Sequence, residues 1–203
     1  MKLETYIENE IIPRYLGFDR AHGPEHAKSV IDRSLKLAEI YGLDLRMVYA
    51  AAAYHDTGLA EGRERHHLVS GRIIREDRML REWFTEEQIE TIAEAAEDHR
   101  ASAAREPRSI YGRVLAEADR QIDPELTVRR TVQYGLSHYP EMGKKEHWRR
   151  MLEHLQEKYA EGGYLKLLIP ESDNARRLEE LRSLMKDRSR LREIFEKEYS
   201  EGA

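Results

Sequence analysis

The chain has 203 residues, of which 40% are hydrophobic and 36% charged, and its net charge is −5. That length supports a substantial core in one domain, and the polar balance suits amphipathic helices with solvated outer faces. The acidic balance argues against dedicated nucleic-acid binding, and the lack of cysteine excludes disulfides and leaves His, Asp and Glu as the only metal donors. No leader pattern follows Met1 and no apolar run is long enough to span a bilayer, so a cytoplasmic protein with no membrane partner is expected.

Almost every segment reads as helix, and no run alternates with period two. Residues 2–12 form a short amphipathic helix stopped by Pro13. Pro24 sits at the first position of the next helix, whose apolar stripe is Val30, Ile31, Leu35, Leu37, Ala38 and Ile40 and which Gly42 ends. Asp44 caps a third helix, which runs through Ala50–Ala53 to His55-Asp56. Leu59–Arg63 is a loop, and His66 to Asp77 is helical. Thr85 and Gln88 have capping-box spacing at the start of a helix that reaches about His99. Ala101–Ser109 is a loop containing Pro107. Helices follow at about 109–121, 125–138 and 144–160, and Gly162-Gly163 breaks the last. Glu171 to Tyr199 reads as one long charged helix with Leu178, Leu181, Met185, Leu191 and Ile194 on one side. That stripe serves either the core or a homodimer surface. The expectation is a single all-α domain over 1–203.

His55-Asp56 places an imidazole and a carboxylate side by side where an apolar helix stops at Thr57-Gly58. Neighbours on a helix point about 100° apart, so both reach one target only if it is small and close, as a metal ion is. His26 lies in the first turn of an earlier helix, and Asp119 lies in a later one. Together they offer two nitrogens and two oxygens, a reasonable set for a divalent cation drawn from three helices. Donors of this kind suit Mn, Fe, Co, Ni, Zn or Mg without choosing among them.

These residues occur in an ordered set: His22-Gly23-Pro24-Glu25-His26, then His55-Asp56-Thr57-Gly58, then Ala118-Asp119-Arg120. The set resembles the HD superfamily of metal-dependent phosphohydrolases over about residues 19–123. The resemblance implies an HD-like helical bundle core at about 19–123 and a helical extension over 124–203. It implies a metal held by His26, His55, Asp56 and Asp119, and metal-activated water attacking a phosphate ester. The expected partner is a small phosphorylated substrate, a nucleotide first among them.

His66 in His66-His67-Leu68-Val69-Ser70-Gly71 and His99 in Glu97-Asp98-His99-Arg100 also resemble family positions. There they bind a second metal bridged by Asp56, or act as general acid and phosphate contact. One ion is expected and a second stays open, because Arg100 stands where fuller binuclear patterns carry another His. Glu117 stands where many relatives have Asp, and Gly71 where Ala is frequent. No Gly-Tyr-Pro signature follows the core, which speaks against a cyclic dinucleotide phosphodiesterase of that subfamily. His22, Arg63, Arg100 and Arg120 are the candidate substrate contacts, since a guanidinium fork matches phosphate oxygens. For His22, orienting a ligand and a plain turn role are equally open. Two rival readings remain: a di-iron oxygenase on the same fold, and a non-catalytic nucleotide-binding or interaction protein.

Overall fold

The computed structural model describes residues 1–101 and 105–202, with Arg20 described by its backbone only. Among the described residues there are ten α-helices and no strand. They are α1 Leu3–Tyr6, α2 Pro24–Ile40, α3 Leu45–Tyr54, α4 His66–Glu76, α5 Glu86–Asp98, α6 Ile110–Asp119, α7 Pro124–His138, α8 Lys144–Tyr159, α9 Asn174–Lys186 and α10 Arg188–Gly202. Residues 102–104 of the loop expected over Ala101–Ser109 lie outside the described residues. No helix among those described is long and apolar enough to cross a membrane.

Contacts group the chain into two units, Met1–Gln121 with Leu168–Ser172, and Ile122–Leu167 with Asp173–Ala203. In the first unit α3 packs against α2, α5 and α6. Ala50, Ala51, Ala52 and Ala53 are all buried, so the second half of α3 is covered on every side. Methyl-sized side chains let the surrounding helices close in, and a helix apolar all round has nowhere else to go. Asp44 accepts from the amide of Arg46 at the start of α3, and the Thr85–Gln88 capping box opens α5. Gly42, at φ +61°, carries the chain out of α2 in a conformation that costs glycine nothing.

The N-terminal segment differs from expectation. Pro13 does not stop the helix. The chain passes from α1 into a π-helical stretch, Ile7–Ile11, and then a 3₁₀ stretch, Ile12–Gly17, with Pro13 in its first turn. A proline at the head of a helical turn has no amide to lose there. This places Tyr15 wholly inside the core.

Glu117 is fully buried in the same unit. Its carboxylate accepts from the amide of Leu168 at 2.7 Å and the hydroxyl of Ser172 at 2.5 Å. The Glu117 carboxylate thus fastens the 168–172 segment.

The second unit packs α7 against α8, α9 and α10. Its core includes Val128, Val132, Met151, Leu155, Leu178, Leu181, Leu191 and Phe195. The long C-terminal helix expected over Glu171–Tyr199 is in fact two helices, α9 and α10. Asp187 leaves the helical region at ψ 87°, and its side chain accepts from the amide of Arg190 at 3.0 Å. An aspartate that caps the next turn competes with the helix it would otherwise continue. The apolar stripe is correspondingly split, with Leu178 and Leu181 on α9 and Leu191 and Ile194 on α10, all buried.

Candidate metal centre

α3 delivers the dyad. His55 follows its last turn, and Asp56 opens a 3₁₀ turn over Thr57–Glu61. Both are buried. Tyr15 locks the backbone here: its hydroxyl donates to the carbonyl of Ala53 at 2.9 Å and accepts from the amide of Asp56 at 3.2 Å. Burial, and then the nearby Asp56 charge, push the Tyr15 phenol well above its usual value, so it stays neutral.

The two oxygens of Asp56 face two separate groups. Oδ2 lies 3.3 Å from His55 Nε2 and 3.6 Å from His26 Nε2. Those two nitrogens are 3.2 Å apart. Asp119 Oδ1 joins this side, 3.2 Å from His26 Nε2 and 3.8 Å from His55 Nε2. On the other side, Asp56 Oδ1 lies 3.2 Å from His66 Nε2 and 3.4 Å from His99 Nε2, with those nitrogens 3.2 Å apart. Both groups, His26–His55–Asp56 and Asp56–His66–His99, could hold a metal ion.

The donor chemistry fits a cation. Ligands about 2.1 Å from one ion and about 90–110° apart lie about 3.0–3.4 Å from each other. Most spacings on both sides of Asp56 match that range. The histidines are also aimed correctly. Nδ1 faces the carbonyl three residues back in three of them: His55 to Ala52 at 2.7 Å, His66 to Arg63 at 2.8 Å, His99 to Ala96 at 2.5 Å. A proton on Nδ1 leaves the Nε2 lone pair pointing inward, the arrangement a metal ligand needs.

Charge in the cluster follows from the same contacts. Burial pushes Asp56 up, but His55, His26 and His66 outweigh it and hold the carboxylate well below its usual range. Burial likewise raises Asp119, and its contacts with His26 more than reverse that. Burial lowers His26, yet Asp119 and Asp56 raise it to about 9.

The other expected residues are placed around this core. His22 Nδ1 meets Asp19 Oδ1 at 2.7 Å, and its ring stands edge-on to His26 at 5.8 Å. Arg63 is exposed, with Nη1 3.4 Å from His22 Nε2 and 4.0 Å from Asp19. Arg100 donates from Nη1 to the carbonyl of Glu64 at 2.5 Å, tying the end of α5 to the loop before α4. Arg120 has a largely buried side chain 3.9 Å from Glu117, and burial lowers its pKa. Tyr15 had no legible signal in the sequence, whereas Ser70, whose hydroxyl accepts from the amide of Gly58 at 2.9 Å, stands in the His66–Gly71 stretch already singled out.

The family model described as HD domain matches residues 24–121, just under half of the chain. That span contains all six donors. No curated protein matches the sequence. A solved structure described as a predicted HD superfamily hydrolase, from an uncultured Thermotogales bacterium, is similar with a TM-score of 0.51 and 21% identity. The match covers 77% of this chain and 96% of that one. At that identity the likeness speaks for the fold.

Proposed function

The chain is an HD-domain protein, with the domain over residues 24–121, and on that premise we propose that it is a metal-dependent hydrolase of phosphate esters, acting on a nucleotide or small phosphomonoester. The observation that carries this reading is the shared carboxylate: each oxygen of Asp56 faces its own histidine pair. His26, His55, Asp56 and Asp119 would hold one ion, and Asp56, His66 and His99 a second. Divalent cations held there would supply Lewis-acid polarisation of a phosphoryl oxygen and a lowered pKa for bound water.

The chain's own groups do the rest. Asp56 and Asp119 keep their negative charge and balance the cations. The Nδ1 contacts of His55, His66 and His99 hold each ring in one orientation. With a single ion on the His26 side, His66 and His99 remain to donate a proton to the leaving oxygen and to touch phosphate. Arg63, exposed beside His22, and Arg100 beside His99 are the guanidinium groups we assign to the phosphate oxygens.

The test is hydrolysis of a panel of phosphomonoesters, nucleotides and phosphodiesters. Chelated protein is resupplied singly with Mn, Mg, Co, Ni, Zn or Fe, beside a His55→Ala/Asp56→Ala control. Metal-dependent turnover lost in the control is the expected result. Tightly bound ions without turnover on any substrate would overturn the hydrolase. The complete second donor set, Asp56–His66–His99, also favours a second reading as a di-iron oxygenase. Iron content with oxygen consumption and no phosphate release would select it.

A further inference from the structure

His26 is the exception among the site histidines. His55, His66 and His99 each turn Nδ1 to the carbonyl three residues back. For His26 that carbonyl belongs to Gly23 and is already taken. It accepts the amide of His26 at 3.0 Å and that of Ala27 at 3.3 Å as α2 opens. Among the described residues, the side-chain atom that meets His26 Nδ1 is the carboxamide nitrogen Nε2 of Gln121, at 3.4 Å and 95 residues away in sequence.

Gln121 reaches that place through an unusual backbone. Its φ is +32°, the sole positive value at a non-glycine position among the described residues. It follows Arg120, which caps the end of α6. A helix often leaves through the left-handed region here, but glycine is the usual residue because it has no Cβ to crowd. Glycine would carry no amide. A strained conformation kept beside a site, with its side chain turned to a site residue, indicates that the side chain is what is being held there.

We infer that Gln121 is a positioning residue for His26: with the carboxamide turned over from the orientation in this structure, its oxygen accepts the Nδ1 proton so that the Nε2 lone pair faces Asp56 and Asp119. A half-turn of the carboxamide exchanges its nitrogen and oxygen in the same space. Only the oxygen-inward orientation is compatible with a ligand at Nε2. An inward amide nitrogen would donate to Nδ1, leave the proton on Nε2 and close that nitrogen to a cation. This assignment rests on the reading of His26 as a ligand and supplies what Ala52, Arg63 and Ala96 supply to the other three.

Zinc affinity of the full chain, by chelator competition, separates the alternatives for wild type, Gln121→Glu and Gln121→Leu. Nitrogen NMR of ¹⁵N-histidine-labelled, zinc-loaded protein reports the His26 tautomer. Glutamate accepts but cannot donate, so Gln121→Glu should bind zinc within about threefold of wild type, while Gln121→Leu should lose about 10–100-fold. The NMR should show Nδ1 protonated in wild type and Gln121→Glu. If Gln121→Leu fails to fold, Gln121→Gly, which relaxes the backbone and also removes the acceptor, should show the same loss. Wild-type affinity in the variants lacking the acceptor overturns the assignment. So does a Gln121→Glu variant as weak as Gln121→Leu, which would mean that the amide donates. Absence of zinc uptake by wild type overturns the ligand reading of His26, and this assignment with it.

Discussion

Gly58 is where the dyad's turn meets the helix that carries His66. A Cβ built there would lie 2.1 Å from the carbonyl oxygen of His66, 2.7 Å from the amide nitrogen of Ser70 and 2.8 Å from Val69 Cβ. Two of these are backbone atoms, which cannot swing away as a side-chain end can. Gly58 has no positive φ, so alanine meets no conformational penalty and the whole cost is steric. Relief to a 3.0 Å contact requires the first turn of α4 to retreat by about 1 Å. Overpacking of this kind costs about 1–3 kcal/mol. Straining the bond from the Gly58 amide to Ser70 Oγ adds about 1 kcal/mol. At about 2–4 °C per kcal/mol for a chain of this length, Gly58→Ala should lower the Tm by about 5–15 °C. The retreat also carries His66 away from Asp56, where its nitrogen lies 3.2 Å from Oδ1. The His66–His99 side should therefore weaken while the His26–His55 side persists. Thermal melts and metal content after dialysis check both consequences. A Tm within about 2 °C of wild type, with unchanged metal content, would refute the steric reasoning.

Three further outcomes follow from the cluster. Asp56→Ala should abolish tight binding of every divalent ion, whereas His66→Ala or His99→Ala should remove one ion and spare the other; elemental analysis that finds equal losses in all three rejects the shared-carboxylate arrangement. In the metal-free protein His26 is raised from 6.5 to about 9, so the stability it contributes is complete below about pH 6.5 and is lost as pH rises towards 9. A cation must displace the same proton, so Mn affinity should rise by up to about tenfold per pH unit across that window, and a flat titration series rejects the assignment. Tyr15→Phe leaves the carbonyl of Ala53 and the amide of Asp56 without their buried partner, costing about 1–3 kcal/mol; calorimetry should show a Tm lower by about 3–10 °C, and an unchanged melt would mean the hydroxyl is not holding the dyad.

The helices and the donors were legible because both leave short-range marks. Asp44 and Thr85 with Gln88 announce helix starts through bonds made within one turn, Pro24 does so through its fixed φ, and the structure uses all of them. The alanine run announced an apolar helix, and its methyl groups let neighbouring helices close around the second half of α3. His-Asp at the end of that run, with His26 and Asp119 in order around it, marked the candidate donors on that side, and the structure brings those four side chains together. Short-range pattern also misled where one local bond outweighed periodicity. Asp187 caps a new helix inside an unbroken apolar stripe, and Pro13 changes the helix type instead of ending it.

Tertiary structure alone decided how the donors divide. The family resemblance left Asp56 as an open candidate bridge; that it turns one oxygen to His26 and His55 and the other to His66 and His99 is seen only in the folded chain. That division depends on where α2, α4 and α5 come to rest around α3, and so on packing between residues tens of positions apart. The same holds for Tyr15 under the dyad, Glu117 on the 168–172 segment and Gln121 at His26. Each of these polar groups finds its partner across the core, 38 to 95 residues away. A local pattern records a contact made within a turn of the chain; a contact made by folding leaves no such trace.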